Sequence, residues 1–364
     1  MSEEFLLLNP GPVPVTDRVR RAMDEPMISH RSAEFEAIYE RAQDALEYVF
    51  RESTLDGGVT NDDGTALILN GTATMGMEAA VANLADDDSE GVALGNGKVG
   101  ANTITDDTDL VTMVHNETST GLLNPVAGVG AIAAEHDARF VVDGVTSIGG
   151  DVFCIDDWHV DIAITDAQKA LAAPPGTSAM YVTEGVESAI DGDGAPFYED
   201  LDWHLRKADS HQTPFTSAVP LFRALAVAAE AIVDEGLPGR IRRHRRQSTA
   251  FRAGFTGMGL EMFPTAADAT VYSNTLTAIE LPEVVRADPD AFFDAVAERN
   301  VSISGGQAHL GGEIFRVSNM GQFADEQILR GIRTVGEAMV DAGADVDPEA
   351  GLDAARDVLE RQRR

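Results

Sequence analysis

The chain has 364 residues, 44% of them hydrophobic, and sets 61 acidic against 27 basic side chains for a formal charge of -34. That charge argues against nucleic acid or an anionic membrane surface as a partner, and no apolar run reaches the ~18 residues that a bilayer span requires. The single cysteine, Cys154, excludes an internal disulfide framework and fits a reducing compartment.

The N-terminus, Met1-Ser2-Glu3-Glu4-Phe5, has neither the basic start nor the apolar core of a signal peptide, so a cytoplasmic protein is expected. Acid excess along the whole chain, with arginine in place of lysine, suits a protein kept hydrated in a high-salt cytoplasm. The length exceeds one ordinary core and predicts two domains. Residues 1–15 contain Asn9-Pro10-Gly11-Pro12-Val13-Pro14 and read as an extended arm. Helical spacing starts at Thr16, with Val19, Ala22 and Met23 on one face. It recurs over 34–50, where Phe35, Ile38, Ala42, Leu46 and Val49 repeat. Residues 51–64 form a polar loop. Short apolar runs then alternate with helical ones: strands at 66–69, 92–94, 110–114, 140–142, 161–164 and 179–182, with helices from Thr74 and around 129–136. This order predicts an α/β fold with a mostly parallel, doubly wound sheet and helices on both faces. A helix over 220–234 stops at Glu235-Gly236-Leu237-Pro238-Gly239, which divides a large domain, 16–235, from a smaller α+β domain, 236–364. The latter is expected to hold helices at 240–258 and 288–298, strands near 271–281, 301–304 and 313–318, and a terminal helix from Asp325.

Only three lysines stand beside 24 arginines. One of them, Lys169, lies in Asp166-Ala167-Gln168-Lys169-Ala170-Leu171-Ala172-Ala173-Pro174-Pro175-Gly176, just after an apolar strand. Upstream, Asp143 directly follows the strand triplet Phe140-Val141-Val142. Ligands of parallel α/β sheets collect beyond the carboxyl ends of the strands, so consecutive strands would aim this acid and this amine at one crevice. The pair suits pyridoxal 5'-phosphate: the lysine forms the Schiff base and the aspartate keeps the pyridine nitrogen protonated. Residues 68–80, with Thr72 and Thr74 where a helix begins, make a candidate phosphate cup. His115-Asn116-Glu117-Thr118-Ser119-Thr120-Gly121 adds hydroxyls at a further strand end.

These four motifs resemble the serine-pyruvate/alanine-glyoxylate aminotransferases, class V enzymes of the fold-type-I pyridoxal-phosphate superfamily, in a haloarchaeal-like form. The likeness runs from Asn9 to Gly321, and Gln168-Lys169-Ala170-Leu171 with Pro174-Pro175-Gly176 is its most specific part. It implies Lys169 as the catalytic residue, Asp143 on the pyridinium nitrogen and Val145 on a ring face. Thr118 and Gln168 would bond the cofactor, with Ala73 and Thr74 on its phosphate. In such a homodimer the partner subunit's Thr216 would reach the phosphate as well. Arg316 matches the arginine that binds the substrate α-carboxylate, as a bidentate fork should. Arg31, in Ser29-His30-Arg31-Ser32, offers a second anion contact that would favour aspartate or phosphoserine as donor. The implied reaction moves an amino group from a small amino acid, serine or alanine, to glyoxylate or pyruvate.

Several motifs carry less. Residues 95–100 match a dinucleotide fingerprint without the helix it needs. The 15 residues between Leu94 and Leu110 are short for a parallel crossover and lack helical spacing. Relatives of this family carry a longer segment there, with an aromatic residue where Val99 stands, so a homologue that binds cofactor poorly is the alternative. The basic run 240–246 reads as a helix surface pairing with local acids, the eight histidines show no metal-ligand spacing, and Cys154 is misplaced for a desulfurase.

Overall fold

The computed structural model describes residues 4–57, 63–94, 103–192, 194–266 and 271–361. The fingerprint at 95–100 and Val99 therefore lie outside the described residues. Contacts group the chain into two units, one of residues 15–116 and 124–241, the other of residues 1–14, 117–123 and 242–364.

The larger unit is built on six strands: β1 (Thr65–Leu69), β2 (Gly91–Leu94), β3 (Leu110–Val114), β4 (Arg139–Asp143), β5 (Ile162–Asp166) and β6 (Ser178–Val182). Their order is β1-β6-β5-β4-β3-β2. Strands β2 to β5 pair in parallel, and β6 runs antiparallel to both β5 and β1. Every residue of β5 and β6 is buried, which is why these segments read as unbroken apolar runs instead of alternating ones. Despite the short crossover, β2 and β3 pair in parallel from Gly91 opposite Leu110 to Leu94 opposite Met113. Among the described residues β2 pairs with β3 alone, and Gly91 and Ala93 are exposed at that edge.

Helices cover the sheet because their apolar stripes need burial. Ala33–Arg51 buries Phe35, Ile38, Tyr39, Leu46 and Val49, and Tyr39 and Phe35 meet Phe222 of helix Val219–Glu235 at 6.0 and 5.4 Å between ring centroids. Helix Val126–Glu135 approaches the chain so closely at Gly130 that a methyl group there would come 1.8 Å from the Trp158 carbonyl oxygen. The short helix Leu201–Ala208 was not expected from spacing; its signal is Asp200, whose carboxylate accepts from the Trp203 amide at 2.9 Å.

In the other unit, β7 (Leu276–Glu280), β8 (Ser304–Gly305) and β9 (Ile314–Ser318) form an antiparallel sheet in the order β7-β9-β8. Phe255 packs edge-on against Phe315 at 5.3 Å in its core. The N-terminal arm belongs to this unit: Leu6 and Leu7 pair in parallel with Val301 and Ser302, and Asn9 donates to the Ser304 hydroxyl at 2.8 Å. The terminal helix is two, Asp325–Asp341 and Pro348–Arg361, parted where Gly343 takes a positive φ of 83° and Pro348 opens the next turn.

Candidate active site

Strands β4 and β5 are hydrogen-bonded neighbours with Asp143 opposite Ile164, so Asp143 and the Lys169 turn leave the sheet at the same, carboxyl-terminal end. Asp143 is anchored by its own chain, its Oδ1 accepting the Val145 amide at 2.9 Å. The turn between them is tight, since a methyl group at Gly144 would lie 2.3 Å from Ile148 Cδ1. Val145 is half-buried against the main core.

The Lys169 turn is fixed from both sides. Ala172 donates to the Lys169 carbonyl at 2.9 Å and Ala173 to the Ala167 carbonyl at 2.8 Å. Ala172 takes a φ of 57°, and Gly176, at φ 120°, leaves space that a methyl group would lose to Leu221. From below, Arg240 reaches in. The residue is 1% exposed, and its guanidinium donates Nη2 to the Ala170 carbonyl at 2.6 Å and Nε to the Gly149 carbonyl at 2.8 Å, and pairs with Glu235 at 3.0 Å. One side chain thus ties the lysine turn to the segment that follows Asp143. The surface reading of 240–246 holds for the exposed Arg242 and Arg245 but not for Arg240, which is core, while Arg246 pairs with the buried Asp325 at 2.7 Å.

Thr72 is the N-cap of helix Ala73–Leu84 yet makes no side-chain capping bond, and no acid occupies the first turn. The amides of Met75 and Gly76 return to the Thr72 carbonyl, while Ala73 and Thr74 begin the helix. An unexpected acid faces this end. Asp166 is 5% exposed, accepts Gln168 Nε2 on Oδ2 at 2.5 Å, and has no partner on Oδ1. Burial pushes its carboxyl up from the ordinary range, opposed by the Ala73 amide, Gln168, the Ala167 amide and the charge of Lys169. Gln168 Oε1 and the hydroxyls of Thr165, Thr177 and Ser178 are also buried without partners. A buried polar cluster with open hydrogen-bonding capacity is what a bound polar ligand would satisfy. An amine, an acid one strand away, an uncapped helix start and Gln168 fit pyridoxal 5'-phosphate in that donor set.

Arg31 and Thr216 meet in one loop. Both terminal nitrogens of Arg31 are engaged: Nη1 with Gln212 Oε1 and the Thr213 carbonyl at 3.1 and 2.7 Å, Nη2 with the Pro214 and Phe215 carbonyls at 3.0 and 3.3 Å. Thr213 bonds within the loop, to the Phe215 carbonyl and the Ser217 hydroxyl at 2.8 and 2.5 Å. Phe215 stacks on Tyr198 at 4.4 Å, and Thr216 is exposed.

In the other unit Arg316 lies on β9, 4% exposed. Its Nε donates to the Gly305 carbonyl at 2.9 Å and Nη1 to the Thr118 carbonyl at 2.8 Å. Among the described residues no carboxylate forms an ion pair with it, and Glu313 pairs instead with Arg286 at 2.7 Å. Burial lowers the guanidinium pKa while Glu117 raises it. A buried cation held only by carbonyls is stabilised by an incoming anion. Among the described residues no group of acids, histidines and cysteines fits a metal ion, and no helix is long and apolar enough to cross a membrane.

The class-V aminotransferase family matches residues 95–251. An uncharacterized aminotransferase of Methanocaldococcus jannaschii is 33% identical over 97% of each chain. The L-aspartate–glyoxylate aminotransferase of Paracoccus denitrificans is 27% identical over 98% of this chain and 96% of its own. Among solved structures, the ureidoglycine-glyoxylate aminotransferase of Bacillus subtilis superposes with a TM-score of 0.85 at 26% identity, covering 99% of both chains. With a lysine turn, an acid on the adjacent strand and this likeness over nearly its full length, the chain belongs to the class-V aminotransferases, pyridoxal-phosphate-dependent enzymes of fold type I.

Proposed function

We propose that the protein transfers the amino group of a small amino acid, serine or alanine, to glyoxylate or pyruvate. The observation that carries this reading is the pairing of Asp143 with the Lys169 turn at the same end of adjacent parallel strands. Pyridoxal phosphate, when bound, supplies an electron sink for the α-carbon of the donor. Asp143 keeps a proton on the ring nitrogen, Val145 packs on a ring face, and Ala73, Thr74, Thr118 and Gln168 take the phosphate and ring oxygen. Lys169 would hold the cofactor at its aldehyde carbon and would serve as the general base for the donor's α-proton. The α-carboxylate goes to Arg316, whose Nη2 and second Nη1 proton suit a bidentate carboxylate.

Small donors are favoured over aspartate or phosphoserine because Arg31 already gives its terminal nitrogens to the 212–215 loop. The same loop carries Thr216, proposed to reach the phosphate of the other subunit in a homodimer. A charge of -34 supports a high-salt cytoplasm as the working medium. The test is the visible absorbance of purified protein with pyridoxal phosphate in high salt, followed by serine, alanine, aspartate and phosphoserine singly. Bleaching by serine or alanine is expected. Bleaching by aspartate or phosphoserine alone would overturn the choice of donor.

A further inference from the structure

Asp166 has no role in the chemistry above, yet it is the most constrained acid at the site. It ends β5, opposite Ser178 of β6, three residues before Lys169. Its side chain is 5% exposed, one carboxyl oxygen has no partner, and the Ala73 amide faces it. That amide opens the helix assigned to the cofactor phosphate, so two anions compete for one donor.

We propose that Asp166 is a built-in competitor for the cofactor phosphate, and that phosphate binding at the helix start transfers one proton from solvent to the Asp166 carboxyl. This rests on the functional reading above. As a carboxylate, Asp166 offers the helix start its negative charge. As a carboxylic acid it turns from acceptor to donor and gives an O–H to a phosphate oxygen. The proton balance is one taken up per phosphate bound, with no covalent bond formed or broken at Asp166.

The surrounding charges favour this coupling. Lys169, in the same turn, steadies the carboxylate. Asp143 ends the neighbouring strand β4, the first turn of helix Ala73–Leu84 carries no acid, and Glu78 further along it is exposed. From β6 and the residue before it come only the hydroxyls of Ser178 and Thr177. Among the described residues Lys169 is the one cation that opposes protonation, and joined to the cofactor aldehyde its nitrogen would be less basic than the free ammonium. Burial, which already disfavours the carboxylate, is then opposed only by the neutral donors of Ala73, Gln168 and Ala167.

The experiment measures the dissociation constant of pyridoxal phosphate by absorbance titration from about pH 5 to about pH 9, in wild type, Asp166→Asn and Asp166→Ser. Calorimetry in two buffers of different ionisation heat reads the protons taken up. Wild-type affinity is expected to fall by up to about tenfold per pH unit above the Asp166 pKa, with net proton uptake. Both variants are expected to lose that slope and to bind more tightly at alkaline pH. Pyridoxal, which lacks the phosphate, should bind wild type and variants alike. Equal affinity and slope in wild type and folded variants overturn this inference alone, as does weaker binding by both variants. Failure of all three proteins to bind the cofactor at any pH overturns the functional reading together with it.

Discussion

Replacing Arg240 by methionine keeps most of the stem and removes the guanidinium that joins the Lys169 turn to the segment after Asp143. Two carbonyls, of Ala170 and Gly149, lose charge-assisted bonds of 2.6 and 2.8 Å. Each such bond contributes about 1.5–3 kcal/mol. Glu235, whose side chain is 24% exposed, recovers water and adds little. The expected cost is therefore about 3–6 kcal/mol, overlapping the range for breaking a buried charge network. Arg240→Lys keeps the charge but not the fork, and should lose about half as much. Urea unfolding followed by circular dichroism measures both. Borohydride trapping of pyridoxal phosphate on Lys169 tests the positioning, and Arg240→Lys should trap more slowly than wild type at equal cofactor. A methionine variant within about 1 kcal/mol of wild type, with unchanged trapping, would refute the reasoning.

Burial holds the His115 pKa down to about 3 from 6.5, with the ring against Phe153 and Trp158 and Nδ1 2.9 Å from the Ser147 hydroxyl. The unfolded chain binds that proton first, so the contribution is complete above about pH 6.5 and is lost as pH falls toward about 3, by about 1.4 kcal/mol per unit. His115→Gln should flatten the wild-type decline in urea midpoint over this window; parallel declines would sink the idea. Arg316→Gln is expected to lower kcat/KM for amino donors about a hundredfold, equivalent to about 3 kcal/mol, with cofactor absorbance retained. An unchanged kcat/KM would remove Arg316 from substrate binding. The Cys154 thiol is pushed up to about 11, by burial first and then by Asp157, Asp56 and Asp156. Iodoacetamide at about pH 8 should label it far more slowly than in urea, and equal rates would contradict its shielding.

The sheet was legible because its strands are short apolar runs, and the adjacency of Asp143 and the Lys169 turn because β4 and β5 are consecutive runs that each end in an acid, a pattern contained within five or six residues. Helix 33–51 was legible for the same reason, its stripe being local. Arg240 was hidden: its partners lie 91 and 70 residues away, and within 240–246 it resembles its solvated neighbours. Asp166 was equally hidden, because nothing in its sequence neighbourhood reveals that β6 and a helix start close over it. The pairing of Leu6 and Leu7 with Val301 and Ser302 was missed because two-residue strands carry no periodicity. The break at Gly343 was written in the sequence, a glycine followed by Pro348, and was overlooked within a long helical pattern.

The near-absence of lysine also acquires a physical meaning. Arg223, Arg240 and Arg316 each bind two backbone carbonyls from a buried position, and the exposed Arg31 binds three. A rigid fork of five donors that stays charged in every environment suits that task, and an ammonium on a flexible stem does not. The same permanence disqualifies arginine from carbonyl chemistry, which needs a nitrogen able to lose its proton and attack carbon. A chain that builds its scaffold from arginine therefore retains lysine where deprotonation is required. On the proposed function, Lys169, in a turn fastened by Ala172, Ala173 and Arg240, is the lysine that would meet that requirement.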